Sequence, residues 1–237
     1  MGAGPITSST AFVPFALQVG DAGDARTTAR IYRAERARAA IVLAHGAGAP
    51  QAHPWMVRMA GALAARGLDT VTFDFLYTAA RRRLPDKNDV LEATWLAAVA
   101  AVRARTDVAH GRLFLGGKSM GGRIATQVVA AAPPDLGPVA GVVLLGYPLH
   151  PPGKPEKLRT AHLASIRVPM LFVQGSRDAF GSPDELRPFV APLAAHGTRI
   201  FPVDGGDHSL ALPKARGVDV DTTIGIVADE IVRFAGP

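Results

Sequence analysis

Short, continuously apolar runs alternate along this chain with longer stretches in which apolar residues recur every three or four positions. The runs "FALQVG" (15–20), "TTARIYRA" (27–34), "AAIVLAHG" (39–46), "DTVTFDFLY" (69–77), "RLFLGG" (112–117), "VAGVVLLGYP" (139–148), "VPMLFVQG" (168–175) and "TRIFPV" (198–203) read as strands. From residue 39 onward they lack polar alternation, as strands buried on both faces should. The first two alternate more and carry charge, which suits an antiparallel edge. Helical patterns fit 53–67, 88–106, 120–132, 183–195 and 221–235. In 88–106 the residues Val90, Leu91, Trp95, Leu96 and Val99 trace one apolar stripe. Strand then helix, repeated, predicts an α/β fold: a mostly parallel sheet with helices on both faces. Working groups in such sheets gather at the carboxyl ends of the strands.

The chain has 237 residues, 48% of them hydrophobic and 19% charged, material for one α/β domain with a sizeable core. Its start, "MGAGPITSSTAFVPF", has neither a basic segment followed by an apolar one nor a run long enough for a membrane span. Residues 1–14 are expected to be a flexible tail and 15–237 the domain. With no cysteine, disulfides and thiol nucleophiles are excluded, and a cytoplasmic home is the expectation. The net charge of +6 and pI near 10.2 raise the question of nucleic acid. Yet the arginines are scattered among alanines and prolines, and aromatics make up only 6%, poor material for base stacking. Neither a nucleic-acid partner nor a membrane is expected, and the oligomeric state is not legible.

Chemistry concentrates at the strand ends. The fifth strand runs into "GGKSMGG", four glycines in seven residues, whose centre Gly117-Lys118-Ser119-Met120-Gly121 fits G-x-S-x-G between strand and helix. Such a turn presents the hydroxyl of Ser119 above the sheet, beside the free N–H groups of a helix start. A serine needs a base. Of seven histidines, His208 in the loop "DGGDHSL" after the last strand is placed to reach back. Asp178, in "FVQGSRDAFG" after the seventh strand, is the candidate acid, and Asp204 and Asp207 read as turn residues. Oxyanion donors are expected from the amides of Met120 and Ala47, the latter in "AHGAGAPQAHPWM" (44–56). His45, Gly46, His53, Lys118 and Tyr147 are candidate substrate contacts. Arg81, Arg82 and Arg83 follow the fourth strand and raise the possibility of an anionic substrate or partner. No histidine–carboxylate cluster has metal-ligand spacing.

Together "LAHGAG", "GGKSMGG", "VQGSRDAFG" and "DGGDHSL" resemble the α/β-hydrolase superfamily, most of all compact bacterial members related to dienelactone hydrolases and testis-expressed hydrolase-like proteins. The resemblance implies an eight-stranded, mostly parallel sheet, no cofactor, and a serine esterase-type reaction on a small-molecule acyl ester or thioester. It assigns Ser119 as nucleophile, Asp178 as acid and His208 as base. Dienelactone hydrolases proper use a cysteine, which this chain lacks. Only 149–167 separates strands six and seven, so little or no lid is expected. The alternative is a non-catalytic interaction protein on the same scaffold, which would not require the three residues.

Overall fold

Each of the eight apolar runs becomes a strand of one sheet. The computed structural model describes residues 12–19, 25–105, 108 and 111–236. The strands are β1 (Val13–Val19), β2 (Ala25–Tyr32), β3 (Ala39–Ala44), β4 (Leu68–Phe73), β5 (Leu113–Lys118), β6 (Gly141–Leu145), β7 (Met170–Gly175) and β8 (Arg199–Val203). Their order is β1-β2-β4-β3-β5-β6-β7-β8. β1 pairs antiparallel with β2, and β2 antiparallel with β4, while all other neighbours are parallel. The two alternating, charged runs do form the antiparallel edge. Residues 1–11 of the expected tail lie outside the described residues, and Val13 and Pro14 already belong to β1.

Among the described residues six α-helices cover the sheet: α1 (Pro54–Ala64), the short α2 (Leu76–Ala79), α3 (Asn88–Arg103), α4 (Met120–Ala131), α5 (Pro183–Val190) and α6 (Val220–Ala235). The period of two along each central strand divides the core. Ala40, Val42 and Ala44 of β3, with Leu113 and Leu115 of β5, pack with α3, α4 and α5. Ile41 and Leu43, with Phe114, Val143 and Leu145, pack with Met56, Met59 and Leu63 of α1 and Ile224, Val227 and Ile231 of α6. Both faces are therefore dry, which is why these strands show no polar alternation.

Several predicted elements are shorter than their patterns. β4 stops at Phe73, and Phe75 caps the turn of α2 instead of extending the strand. β6 ends at Leu145 because Gly146 turns the chain with φ +65°. The helical pattern of 183–195 breaks into α5 and a 3₁₀ stretch, Ala191–His196. Pro192 has no N–H to continue the α-helical ladder there. Between β6 and β7 there is only loop and the 3₁₀ turn Leu163–Ser165, so no helical lid covers the strand ends.

Trp95 ties α3 to both neighbours. It is fully buried, meets Phe73 of β4 edge to face at 5.0 Å, and its Nε1–H donates to the Gly121 carbonyl of α4 at 3.2 Å. Trp95→Ala should therefore cost about 3–5 kcal/mol in a urea titration, whereas Trp95→Phe should cost clearly less.

Candidate functional site

Parallel pairing brings the carboxyl ends of β3, β5, β6, β7 and β8 to one edge, with Ala44 opposite Gly117, Lys118 opposite Leu145 and Gly175 opposite Val203. At the end of β5 the chain reverses into α4 through Ser119, whose φ of 50° and ψ of −116° are unusual for a residue with a side chain. The surrounding glycines are demanded by contact. A Cβ on Gly117 would stand 2.5 Å from the Gly121 carbonyl carbon and the Gly122 nitrogen. One on Gly121 would stand 2.5 Å from the His45 carbonyl oxygen and 2.6 Å from that of Ala44. Gly121 thus makes room for the end of β3, not for the serine. The Ser119 amide donates to Leu145 O at 2.9 Å and Arg123 N–H to Ser119 O at 3.0 Å, pinning the turn from both sides.

Three side chains from three loops meet above this turn. His208 Nε2 lies 2.8 Å from Ser119 Oγ, and its Nδ1 lies 2.8 and 3.0 Å from the two oxygens of Asp178. An ionised carboxylate only accepts, so Nδ1 carries the proton and Nε2 is left to accept from the serine hydroxyl. The Asp178 side chain is wholly buried, while that of His208 is 24% exposed. Burial of a carboxylate demands partners, and Asp178 has them in the Phe180 amide at 2.8 Å and Gln174 Nε2 at 2.9 Å. The Phe180 ring stacks on the imidazole with centroids 4.1 Å apart.

The loop bearing His208 is held as firmly as Asp178. Asp207 receives the amides of Ser209 at 2.7 Å and Ala211 at 2.9 Å, and Asp204 pairs with Arg216, so both rivals to Asp178 act as turn residues. A Cβ on Gly175 would stand 2.4 Å from the carbonyls of Gly206 and Asp207, so the loop rests directly on the end of β7. Lys118 Nζ donates to the His208 carbonyl and lies over the Trp55 ring at 6.0 Å. Burial pushes its ammonium down to about 8, with Asp178 and Asp207 pulling partly the other way.

A cavity of about 570 Å³ opens beside Ser119. Gly46, Ala47, Lys118 and Met120 line it, as does His53, whose Nδ1 also accepts the Trp55 amide at the start of α1. Two expected substrate contacts are corrected. His45 is completely buried. Its Nδ1–H donates to Gly46 O at 2.7 Å and its Nε2 accepts the Phe75 amide at 3.1 Å. Burial lowers its pKa, and both bonds require the neutral ring. Tyr147 is also buried, its hydroxyl donating to Arg159 O at 2.6 Å and its pKa pushed up to about 12 by burial. Neither residue reaches the cavity. The arginine triplet does not line it either; all three are exposed, and Arg82 pairs with Asp86 at 2.6 Å.

Sequence reasoning passed over Gln174, Phe180, Arg123 and Arg159. Gln174 carried a signal, a polar residue in an otherwise apolar buried strand, four residues before Asp178. His110, another of the seven histidines, falls outside the described residues.

The architecture has close counterparts. An α/β serine hydrolase homologue from Coxiella burnetii is 19% identical, with 93% of this chain and 96% of that one covered and a TM-score of 0.68. A lidless α/β serine hydrolase from Xanthomonas campestris is 16% identical, covering 97% and 98%, with a TM-score of 0.66. A dienelactone hydrolase from Anabaena variabilis is 20% identical, covering 92% and 96%, with a TM-score of 0.62. At such identities the likeness is one of fold. The profile of the α/β-hydrolase domain family matches residues 37–236, which span β3 to β8 and α1 to α6, and the chain belongs to that family.

Proposed function

We propose that this α/β hydrolase is a serine esterase or thioesterase acting on small acyl groups through Ser119, His208 and Asp178. The observation that carries the reading is the unbroken hydrogen-bonded line from Asp178 through His208 to Ser119 Oγ, with the serine on the floor of the cavity. In the first half-reaction His208 Nε2 takes the hydroxyl proton as Oγ attacks the carbonyl carbon. Asp178 holds the tautomer and steadies the imidazolium. The proton then passes to the departing alcohol or thiol, and water repeats the sequence on the acyl-serine.

The negative charge that develops on the carbonyl oxygen needs donors already in place. Met120 is the first residue of α4, so its N–H has no acceptor within the helix. Ala47 is the second proposed donor. Its N–H belongs to the same trans peptide as the Gly46 carbonyl, and the two point in opposite directions. By binding Gly46 O from the buried side, His45 fixes that plane and leaves the Ala47 N–H directed away from the core. His45 is thus a positioning residue for the oxyanion loop rather than a substrate contact. The cavity volume and the absence of a helical lid favour short acyl chains.

Wild-type protein should hydrolyse p-nitrophenyl acetate faster than long-chain p-nitrophenyl esters. Ser119→Ala should lower that turnover on the order of 10⁴-fold or more, and retained activity in the variant would remove the mechanism.

Lys118 gives a second test. Its folded pKa of about 8 lies below the ordinary 10.5, so the fold carries the cost of a buried charge fully below pH 8. As pH rises from 8 towards 10.5 the cost fades, because the unfolded chain still binds the proton that the fold has released. Relative to Lys118→Met, the wild type should gain on the order of 1–2 kcal/mol between pH 7.5 and 10, after discounting for partial exposure. Chemical denaturation at the two pH values measures this. The same variant should lower kcat/KM about tenfold, because a charge-assisted bond to the His208 carbonyl is lost.

A further inference from the structure

Among the described residues the walls of the cavity carry three cations, Lys118, Arg123 and Arg159, and no aspartate or glutamate. Lys118 is already engaged with the His208 carbonyl. Each of the two arginines makes one side-chain hydrogen bond among the described residues, leaving most of its N–H donors for a ligand. Arg123 stands one helical turn after Ser119, on the same side of α4, and its Nη1 donates to Gln127 Oε1 at 3.1 Å. Arg159 comes from the loop between β6 and β7, and its Nη1 donates to Pro148 O at 3.2 Å. Both acceptors are neutral.

Several arginines elsewhere do meet carboxylates, while Arg103 and Arg112 donate to backbone carbonyls. Arg66 meets Asp229 at 2.6 Å, Arg82 meets Asp86 at 2.6 Å, and Arg199 meets Glu230. Among the described residues Arg123 and Arg159 are half-buried and make no ion pair. Burial and repulsion from Arg159 lower the Arg123 pKa, and the charges of Tyr147 and Glu92 offset this only partly. The neighbouring His162 offers no counter-charge. Its Nε2–H donates to Thr126 Oγ1 at 2.8 Å, and burial followed by Arg123 lowers its pKa. Two half-buried guanidiniums that line one cavity without an ion-paired carboxylate favour a ligand that supplies an anion.

Building on the serine hydrolase reading, we infer that the cavity selects esters or thioesters bearing a second, anionic group, a carboxylate or phosphate gripped by Arg123 and Arg159. Guanidinium forks match the paired oxygens of either group. The ester carbonyl then meets Ser119 while the charged end is held at the arginine wall. The exposed triplet 81–83 plays no part in this.

The test compares charged substrates with their own methyl esters. Three arms locate the anion: the p-nitrophenyl monoester of glutarate places a carboxylate on the acyl side, 4-acetoxybenzoate places one on the leaving side, and 4-acetoxyphenyl phosphate places a phosphate there. In at least one arm wild-type kcat/KM should favour the charged form about tenfold or more, as a charge-assisted bond of this kind allows. Arg123→Gln with Arg159→Gln should shrink that ratio by about 10- to 100-fold, and the double lysine variant should restore part of it. If the double variant does not fold, Arg159→Gln alone, on a loop, should still reduce the ratio. No charged preference in any arm, or a preference that survives loss of both guanidiniums, overturns the inference while leaving the esterase reading intact. If no ester is turned over, calorimetric titration of glutarate and of inorganic phosphate decides. Saturable binding weakened tenfold or more in the variant supports the inference, and no saturable binding overturns it.

Discussion

The molecule depends on one close crossing, where the end of β5 and the first turn of α4 pass each other against the end of β3. Backbone atoms there approach to distances that forbid a Cβ on Gly117 or Gly121. That contact forces Ser119 into a left-handed conformation, a local cost on the order of 1–3 kcal/mol. Continuous burial of the flanking strands on both faces offsets it. From this crossing the remaining geometry follows. The serine stands above the sheet, Met120 begins a helix and so has no acceptor for its amide within it, and the loop carrying Ala47 is pressed against the same spot through the His45 carbonyl.

Charge is handled in two different ways on the two sides of Ser119. Towards β7 and β8, a buried carboxylate is fully satisfied: Asp178 receives His208, Phe180 and Gln174, and the loops bearing Asp178 and His208 are joined by the Arg177 amide on Gly206 O at 2.9 Å and the Gly205 amide on Ser176 Oγ at 2.7 Å. Nothing there waits for a ligand. On the cavity side, guanidiniums are met only by neutral acceptors. The first arrangement suits a proton pathway that must keep its geometry through turnover, and the second suits recognition of something brought from outside.

Much of this was legible in the chain because the informative signals are local. Apolar runs without alternation revealed central strands, and the turn from strand to helix around Ser119 is written in seven consecutive residues. Asp178 and His208 could be picked out because each follows directly on a buried strand. What escaped depends on contacts between distant segments. Arg123 and Arg159 share a cavity only because the loop after β6 folds back over α4, and no periodicity records that. His45 shows the opposite error: its place in the loop after β3 suggested substrate contact, but it is buried and bonds the Gly46 carbonyl and the Phe75 amide. The arginine triplet raised the possibility of an anionic substrate, but a run of three cations in a loop is most easily solvated, and all three are exposed.

The central claim is that Ser119 is a hydroxyl activated by its folded surroundings. Mapping the adduct left by a fluorophosphonate probe, by peptide mass analysis of folded, heat-denatured and His208→Gln protein, tests it most directly. The account predicts a single adduct on Ser119 in the folded chain, none after denaturation, and strong depletion when the imidazole is replaced. An unmodified Ser119 in the folded protein, or labelling that persists unchanged without His208, would contradict it.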